Sequence, residues 1–399
     1  MKQTILQAVF AALVCAGASA QVNSGSNGSD GAFNPATDTV INMADRPNGI
    51  YQYTSVNISN NVTVTFVPNA ANTPVVWLVQ SNVVINGSVN INGQNAWNSS
   101  AGVGGPGGYR GGSAGQNASS GLGPGGGGAY TGFLADSGGA ASYGTLGSTN
   151  GGTTGPIYGN SFLIPLLGGS GGGGSSSGQN DFGGGGGGAI LIASSATIQL
   201  NGGINAPGGW GFLYGGTGGA GGSGGAVRLV ALTITGSGSI STKGAFFADV
   251  SGDGSSFSYL SGDGRVRFDT YLNNFAGAVS HAVFTQGSQF VVIPTAGSGT
   301  QLTIASVAGM PVSASPTGII TTPDAVISAQ QSNPVPVVVQ CSNIPLNTAI
   351  TVTVTPVGGA PVSAVGHNNS GSLGSSTATV SITMPRGGGF ISASAATGN

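Results

Sequence analysis

The chain has 399 residues, of which only 5% are charged and 39% hydrophobic, while glycine reaches 78. So little charge beside so much apolar content excludes charge-driven disorder and favours packed β-structure. Glutamate is absent and the formal net charge is -2, so there is no basic footprint for nucleic acid or anionic lipid.

Residues 1–20 read as a secretory leader. Lys2 supplies the basic start, residues 5–17 an apolar run too short to span a bilayer, and Ala18, Ser19 and Ala20 a small-residue cleavage site before Gln21. A lipoprotein would use Cys15, but Val14 is not the small residue that usually precedes such a cysteine. Cleavage after Ala20 leaves Cys341 alone in the mature chain, expected as a buried thiol. Residues 21–50 form a polar lead and cap. Beyond them, residues 51–58 and 62–66 alternate with the period of two of a strand.

An internal repeat follows. Residues 75–79, 83–87 and 89–93 are echoed by 189–193, 197–202 and 204–208, then by 226–230, 232–236 and 240–244, and a fading fourth copy starts at 265. Each copy is three short strands over roughly 20 residues, the size of one coil of a parallel β-helix. Aligning the copies puts Val76, Ile190, Val227 and Val266 in one column and Leu78, Ile192, Leu229 and Phe268 in another, both expected inside. The column between them, Trp77, Leu191, Arg228 and Arg267, is expected to face outward. Asn86 and Asn201 share a turn column where stacked amides can bond along the axis, although the turn preference of asparagine is by itself sufficient to account for both. An antiparallel sandwich would also account for the Asn-Gly turns, but not for repetition of the whole triplet.

Between the first and second copies lie residues 94–188, dominated by glycine and serine, and a shorter stretch of the same kind spans 207–225. Polyglycine can pack as left-handed helices of three residues per turn, so an ordered layer and a mobile loop both stay open. Aromatic residues such as Tyr109, Tyr143, Tyr158, Phe162 and Trp210 are too many for a linker. The reading is an excursion outside the folding core that carries the contact surface. From about residue 274 glycine falls, and valine, threonine and proline rise in short alternating strands. Residues 280–399 therefore read as a small immunoglobulin-like β-sandwich, following a glycine-rich parallel β-helix over residues 51–275.

The glycine runs that feed a short apolar strand at residues 183–192, 221–229 and 262–268 resemble glycine-rich parallel β-helix proteins secreted by bacteria, some grouped with adhesins and filamentous-haemagglutinin-like surface proteins. The resemblance covers roughly residues 50–272. It implies a right-handed β-helix, an extracytoplasmic location and a surface role, and it carries over no functional residues. The secretion domain usual at the N-terminus of such adhesins is not recognisable here.

Candidate chemistry is sparse. With glutamate missing, the paired carboxylates of sugar hydrolysis would have to be Asp249 with Asp253, or Asp263 with Asp269 beside Arg265 and Arg267. His281 and His367 have no accompanying nucleophile motif. Residues 249–254 begin like a calcium loop, but position twelve is Leu260 where a bidentate glutamate belongs. The glycine runs precede strands rather than helices, so they are not phosphate cradles. The expectation is a secreted, non-enzymatic, adhesin-like structural protein of the cell surface or extracellular matrix. No catalytic, cofactor-binding or metal residues are assigned. Its partners would be surface glycans or other copies of the chain, with no nucleic acid and no membrane span. The alternative is a polysaccharide lyase or hydrolase on the same scaffold.

Overall fold

Alternating valines, isoleucines and leucines with small polar residues between them build strands with one face buried, and such strands gain most by stacking. The computed structural model describes residues 22–97, 99–132, 136–148, 151–214, 217–250, 256–288, 290, 301–312, 323–356, 362–387 and 389–395. Within these the chain is all-β apart from two 3-10 turns, Met43–Asp45 and Gly115–Asn117. The leader and its cleavage site lie outside the described residues.

Two parallel sheets form the larger body. The order in the ten-stranded sheet is Ala32–Phe33, Ser55–Ile58, Val83–Ile85, Thr197–Leu200, Ala226–Gly236, Ala189–Ser194, Val75–Val79 and Ile50–Tyr53, with Gly264–Phe275 added alongside Ala226–Gly236 and Ala282–Gly287 alongside Gly264–Phe275. The six-stranded sheet runs Ala278–Ser280, Ser239–Ser241, Gly203–Asn205, Ser88–Asn90, Thr63–Val67 and Thr39–Asn42. One interior of buried Val, Ile, Leu and aromatic side chains lies between them, with Phe33, Tyr53, Phe66 and Trp77 in mutual ring contact towards its N-terminal end.

The expected right-handed parallel β-helix with glycine-rich excursions is not the architecture observed. Three strands per repeat should give three columns. Instead Ala226–Gly236 pairs through residues 226–230 with Ala189–Ser194 and through residues 233–235 with Thr197–Leu200. Two columns thus merge into one bent sheet, which is nearly closed and barrel-like. Residues 226–235 carry no glycine or proline to break the strand, and neither do residues 265–275.

The glycine-rich residues are not an excursion either. The six glycines at 183–188 are all buried. Their amides point to three neighbours in strict rotation. Gly183 and Gly186 donate to Gly112 and Tyr109, Gly184 and Gly187 to Ala220 and Ser223, and Gly185 and Gly188 to Gln94 and Ile91, all at 2.7–3.0 Å. Residues 219–225 repeat the pattern on one side, with Gly219, Gly222 and Gly225 donating to Phe212, Gly209 and Ala206. A period of three is that of an extended polyproline-II chain, which has no internal hydrogen bonds and offers each backbone group to a neighbour. Glycine is needed for closeness, since none of the six has a positive φ. A Cβ on any of them would meet a neighbouring backbone carbonyl oxygen at 2.7 Å or less. This packed array is part of the folding core.

The register also corrects the repeat alignment. Val75 pairs with Ile190 and Trp77 with Ile192, so the first copy is offset by one residue. Trp77 is fully buried inside, while Leu78 packs outward against Leu191, Ala193, Val230 and Val22. Residues 75–79 are apolar on both faces, so alternation could not choose between them. The other copies fall as expected: Ile190, Val227 and Val266 align, as do Ile192, Leu229 and Phe268.

The C-terminal part is a β-sandwich of antiparallel sheets. Five strands run Met310–Pro311, Gln301–Val307, Val335–Ser342, Ser375–Ile382 and Ser370–Ser372; three run Val362–His367, Ala349–Pro356 and Gly389–Ala395. Val337, Val339, Cys341, Ile350, Val352 and Val380 fill its core. Among the described residues no helix is long and apolar enough to cross a membrane, a statement about helices only.

Candidate functional site

The charged side chains on the ten-stranded sheet do not form an open cluster. Asp269 is fully buried. It accepts hydrogen bonds from Arg228 Nε (3.1 Å) and from Arg267 Nε (2.9 Å) and Nη2 (2.6 Å). Arg228 and Arg267 were expected on a solvated outer face, yet both are buried. The glycine-rich chain covers them: Arg267 Nη1 donates to Ser161 O (3.1 Å) with its guanidinium over the Phe162 ring, and Arg265 Nη2 donates to Tyr158 O (2.8 Å). Burial pulls the Arg228 pKa below the usual guanidinium value, opposed by Asp269. These groups pin residues 158–162 across the sheet.

Asp263 has a different setting. Its Oδ1 accepts the Gly244 amide (3.0 Å) and its Oδ2 lies 3.6 Å from His281 Nδ1, with both side chains partly exposed. Asp269, sealed between two guanidiniums, cannot reach solvent to work with it. Asp253 lies outside the described residues, and Asp249 is placed only as backbone in the hairpin of Phe246–Val250 with Ser256–Leu260. Leu260 is exposed. His367 ends an exposed strand edge of the sandwich. Cys341 is buried beside Val339, and burial raises its thiol pKa.

Two concave surfaces stand out among the described residues. A groove of about 880 Å³ follows the stacked turns past Asn61, Asn86, Asn201, Ser237 and Ala276. Its amides are engaged along the stack: Asn201 Nδ2 donates to Asn86 Oδ1 at 2.8 Å, the axial bond that was one of two readings for that column, and Asn205 Nδ2 donates to Asn90 Oδ1 at 2.9 Å. A second cleft of about 610 Å³ is lined by Asn92, Gln94, Asn95, Trp97, Trp210 and Lys243, together with glycine, proline and alanine.

The second cleft is the candidate site. Trp97 is 67% exposed and Trp210 56%, whereas the third tryptophan, Trp77, is fully buried in the core. Large aromatic rings left in water forgo burial energy of about 1.5–3 kcal/mol each, and an aromatic pair beside convergent polar groups is the composition of a ligand site. Both rings stand on a braced wall. Ala96 N–H donates to Trp210 O (2.8 Å), Trp210 N–H donates to Asn95 Oδ1 (2.9 Å), and Gly209 and Gly185 continue the bonding into the glycine array. Flat ring faces match the C–H faces of pyranoses, and Asn92, Gln94 and Asn95 offer donors and acceptors to sugar hydroxyls.

Sequence reasoning missed this pair, although a signal was present. Asn201 bonds Asn86, Asn205 bonds Asn90 and Trp210 bonds Asn95, each over a separation of 115 residues. Continuing the repeat alignment past residue 93 at that offset would have set Asn95 beside Trp210. No protein-family model, curated protein or solved structure matches the chain.

Proposed function

We propose that this chain is a secreted, non-enzymatic, adhesin-like structural protein of the cell surface or extracellular matrix, and that it binds glycans at the Trp97–Trp210 cleft. The observation that carries the reading is the exposed tryptophan pair among side-chain amides on a wall of hydrogen-bonded glycine strands. A rigid aromatic platform loses little entropy on binding, which suits recognition of an extended sugar chain. The glycine array supports this as scaffold and not as contact surface, because its backbone groups bond one another. Secretion accords with the leader-like residues 1–20.

The test uses the mature chain from Gln21 on a panel of immobilised glycans and bacterial surfaces, compared with the double variant Trp97→Ala, Trp210→Ala. Both rings are exposed, so stability should stay within about 0.5 kcal/mol. Retained folding with lost binding supports the proposal. Unchanged binding by the double variant refutes it.

A further inference from the structure

The groove of about 880 Å³ along the stacked turns is separate from the tryptophan cleft. Its residues Asn86 and Asn201 precede the strands Ser88–Asn90 and Gly203–Asn205, whereas the cleft residues Asn92 and Trp210 follow them. The two concavities therefore flank the same six-stranded sheet.

Register fixes the shape of the groove. Thr63 pairs with Ser88, Ser88 with Gly203, Gly203 with Ser239 and Ser239 with Ala278, so five rungs lie side by side. Neighbouring rungs are about 4.8 Å apart, which carries the groove roughly 19 Å along the stack. One side is the column of Asn61, Asn86, Asn201 and Ser237, and the other carries Thr63, Ser88 and Ser239. Between them runs a column of glycines, Gly87, Gly202, Gly238 and Gly277. A Cβ on any of these four would meet a backbone oxygen at 1.8–2.1 Å, so the floor stays bare.

The lining selects against several ligand classes. Among the described residues no charged side chain lines the groove, so nothing there pairs with a phosphate, sulfate or carboxylate. The floor backbone is already engaged, with Gly203, Ser239 and Ala278 N–H donating to Gly87, Gly202 and Gly238 O at 2.8–3.0 Å. An added peptide strand therefore finds no open edge to pair with. The side chains do have bonding capacity left. An amide offers two N–H donors and an oxygen with two lone pairs, and the axial bond takes one donor of Asn201 and one lone pair of Asn86. Asn201 Oδ1 and Asn86 Nδ2 remain for a ligand, across from the Ser88 and Ser239 hydroxyls.

We propose that this groove is a second binding site, for an extended uncharged polysaccharide lying along the stack. Sugar hydroxyls both donate and accept, which matches rows of amides and hydroxyls. Each such bond replaces one to water and adds little, so a chain spanning several rungs binds where a short sugar does not.

The experiment is an amide NMR titration of the chain from Gln21 with a long cello-oligosaccharide, a long malto-oligosaccharide, cellobiose, oligogalacturonate and an extended glycine–serine peptide. At least one long neutral sugar should shift the Asn86, Asn201 and Ser239 signals more than cellobiose does. The shifts should be equal at low and high salt, and should persist in the double variant Trp97→Ala, Trp210→Ala. Gly203→Tyr should abolish them: the nearest neighbours of its Cβ would be Asn205 Nδ2, Ser88 Oγ and Ser239 Oγ at 3.5–3.8 Å, so the ring enters the groove without meeting backbone. Asn201→Ala, at an exposed position, should weaken binding about fivefold, and it decides the matter if Gly203→Tyr melts early. Groove shifts that are absent with both long neutral sugars, that survive both groove variants, or that only oligogalacturonate or the peptide produces overturn the proposal. Shifts confined to the Trp97 and Trp210 signals overturn the groove and leave the cleft standing, whereas shifts confined to the groove overturn the cleft.

Discussion

Gly186→Ala is the most direct test of the glycine array. The added methyl carbon would overlap the carbonyl of Gly169 and stand 2.7 Å from Ser170 N, whereas real Cβ contacts begin near 3.0 Å. Both obstacles are backbone, so no side chain can swing away. The segments must part by about 1 Å before the carbon clears the carbonyl, an overpacking strain of about 1–3 kcal/mol. That movement stretches the bond joining the two segments, Gly169 N–H to Gly187 O (2.7 Å), and disturbs Gly186 N–H to Tyr109 O (2.8 Å). Leaving such groups unsatisfied costs about 1–3 kcal/mol each. Together the loss is on the order of 3–9 kcal/mol, comparable with the whole stability of many domains. Gly203→Ala is the control: its nearest atom would be Asn205 Nδ2 at 3.5 Å, an ordinary contact. Chemical denaturation followed by circular dichroism measures both. If Gly186→Ala melts with the wild type and with Gly203→Ala, the array is not part of the folding core.

Other expectations concern buried groups. Leu229→Asp puts a carboxylate among the apolar residues of the inner column, and Arg228→Asp sets a second carboxylate against Asp269 while removing a guanidinium. Both should cost about 3–5 kcal/mol in a denaturant melt, and a mild Arg228→Asp would show that the outer face is solvated after all. Tyr53 and Tyr143 have pKa values raised by burial, with neighbouring arginines opposing the rise. The neutral phenol is the form the fold favours, so their stabilisation is complete below the ordinary tyrosine pKa of about 10 and is lost as pH climbs above it towards the folded values. Stability measured across that alkaline range, beside tyrosinate absorbance, should fall as these rings ionise; a flat profile would contradict the assignment. Cys341 should resist a thiol reagent in the native sandwich and react fully in denaturant; rapid native labelling would mean that the core there is open.

Much of the local structure was legible from residue spacing. Columns such as Ile190, Val227 and Val266 are apolar in each copy and alternate with period two, and parallel pairing keeps them in register. The Asn86–Asn201 ladder was legible for the same reason, since one repeat offset sets both members. The first copy was not, because residues 75–79 have no polar face, and only the volume of the interior beside Phe33, Tyr53 and Phe66 selected Trp77 to fill it. The tryptophan cleft was hidden because its two rings come from segments whose adjacency depends on how the glycine strands stack.

By itself the sequence determined that the chain is built of strands, which residues of the later copies share an inner face, and that Cys341 belongs to an apolar run. Those facts follow from alternation and composition, which act between neighbours along the chain. Tertiary structure alone decided that two columns merge into one nearly closed sheet, that the glycine runs such as residues 183–188 are packed, and that Arg228 and Arg267 are buried. The physical reason lies in glycine. Having no side chain, it carries no pattern that marks inside from outside, and its place becomes apparent only when backbone meets backbone at a spacing no Cβ permits.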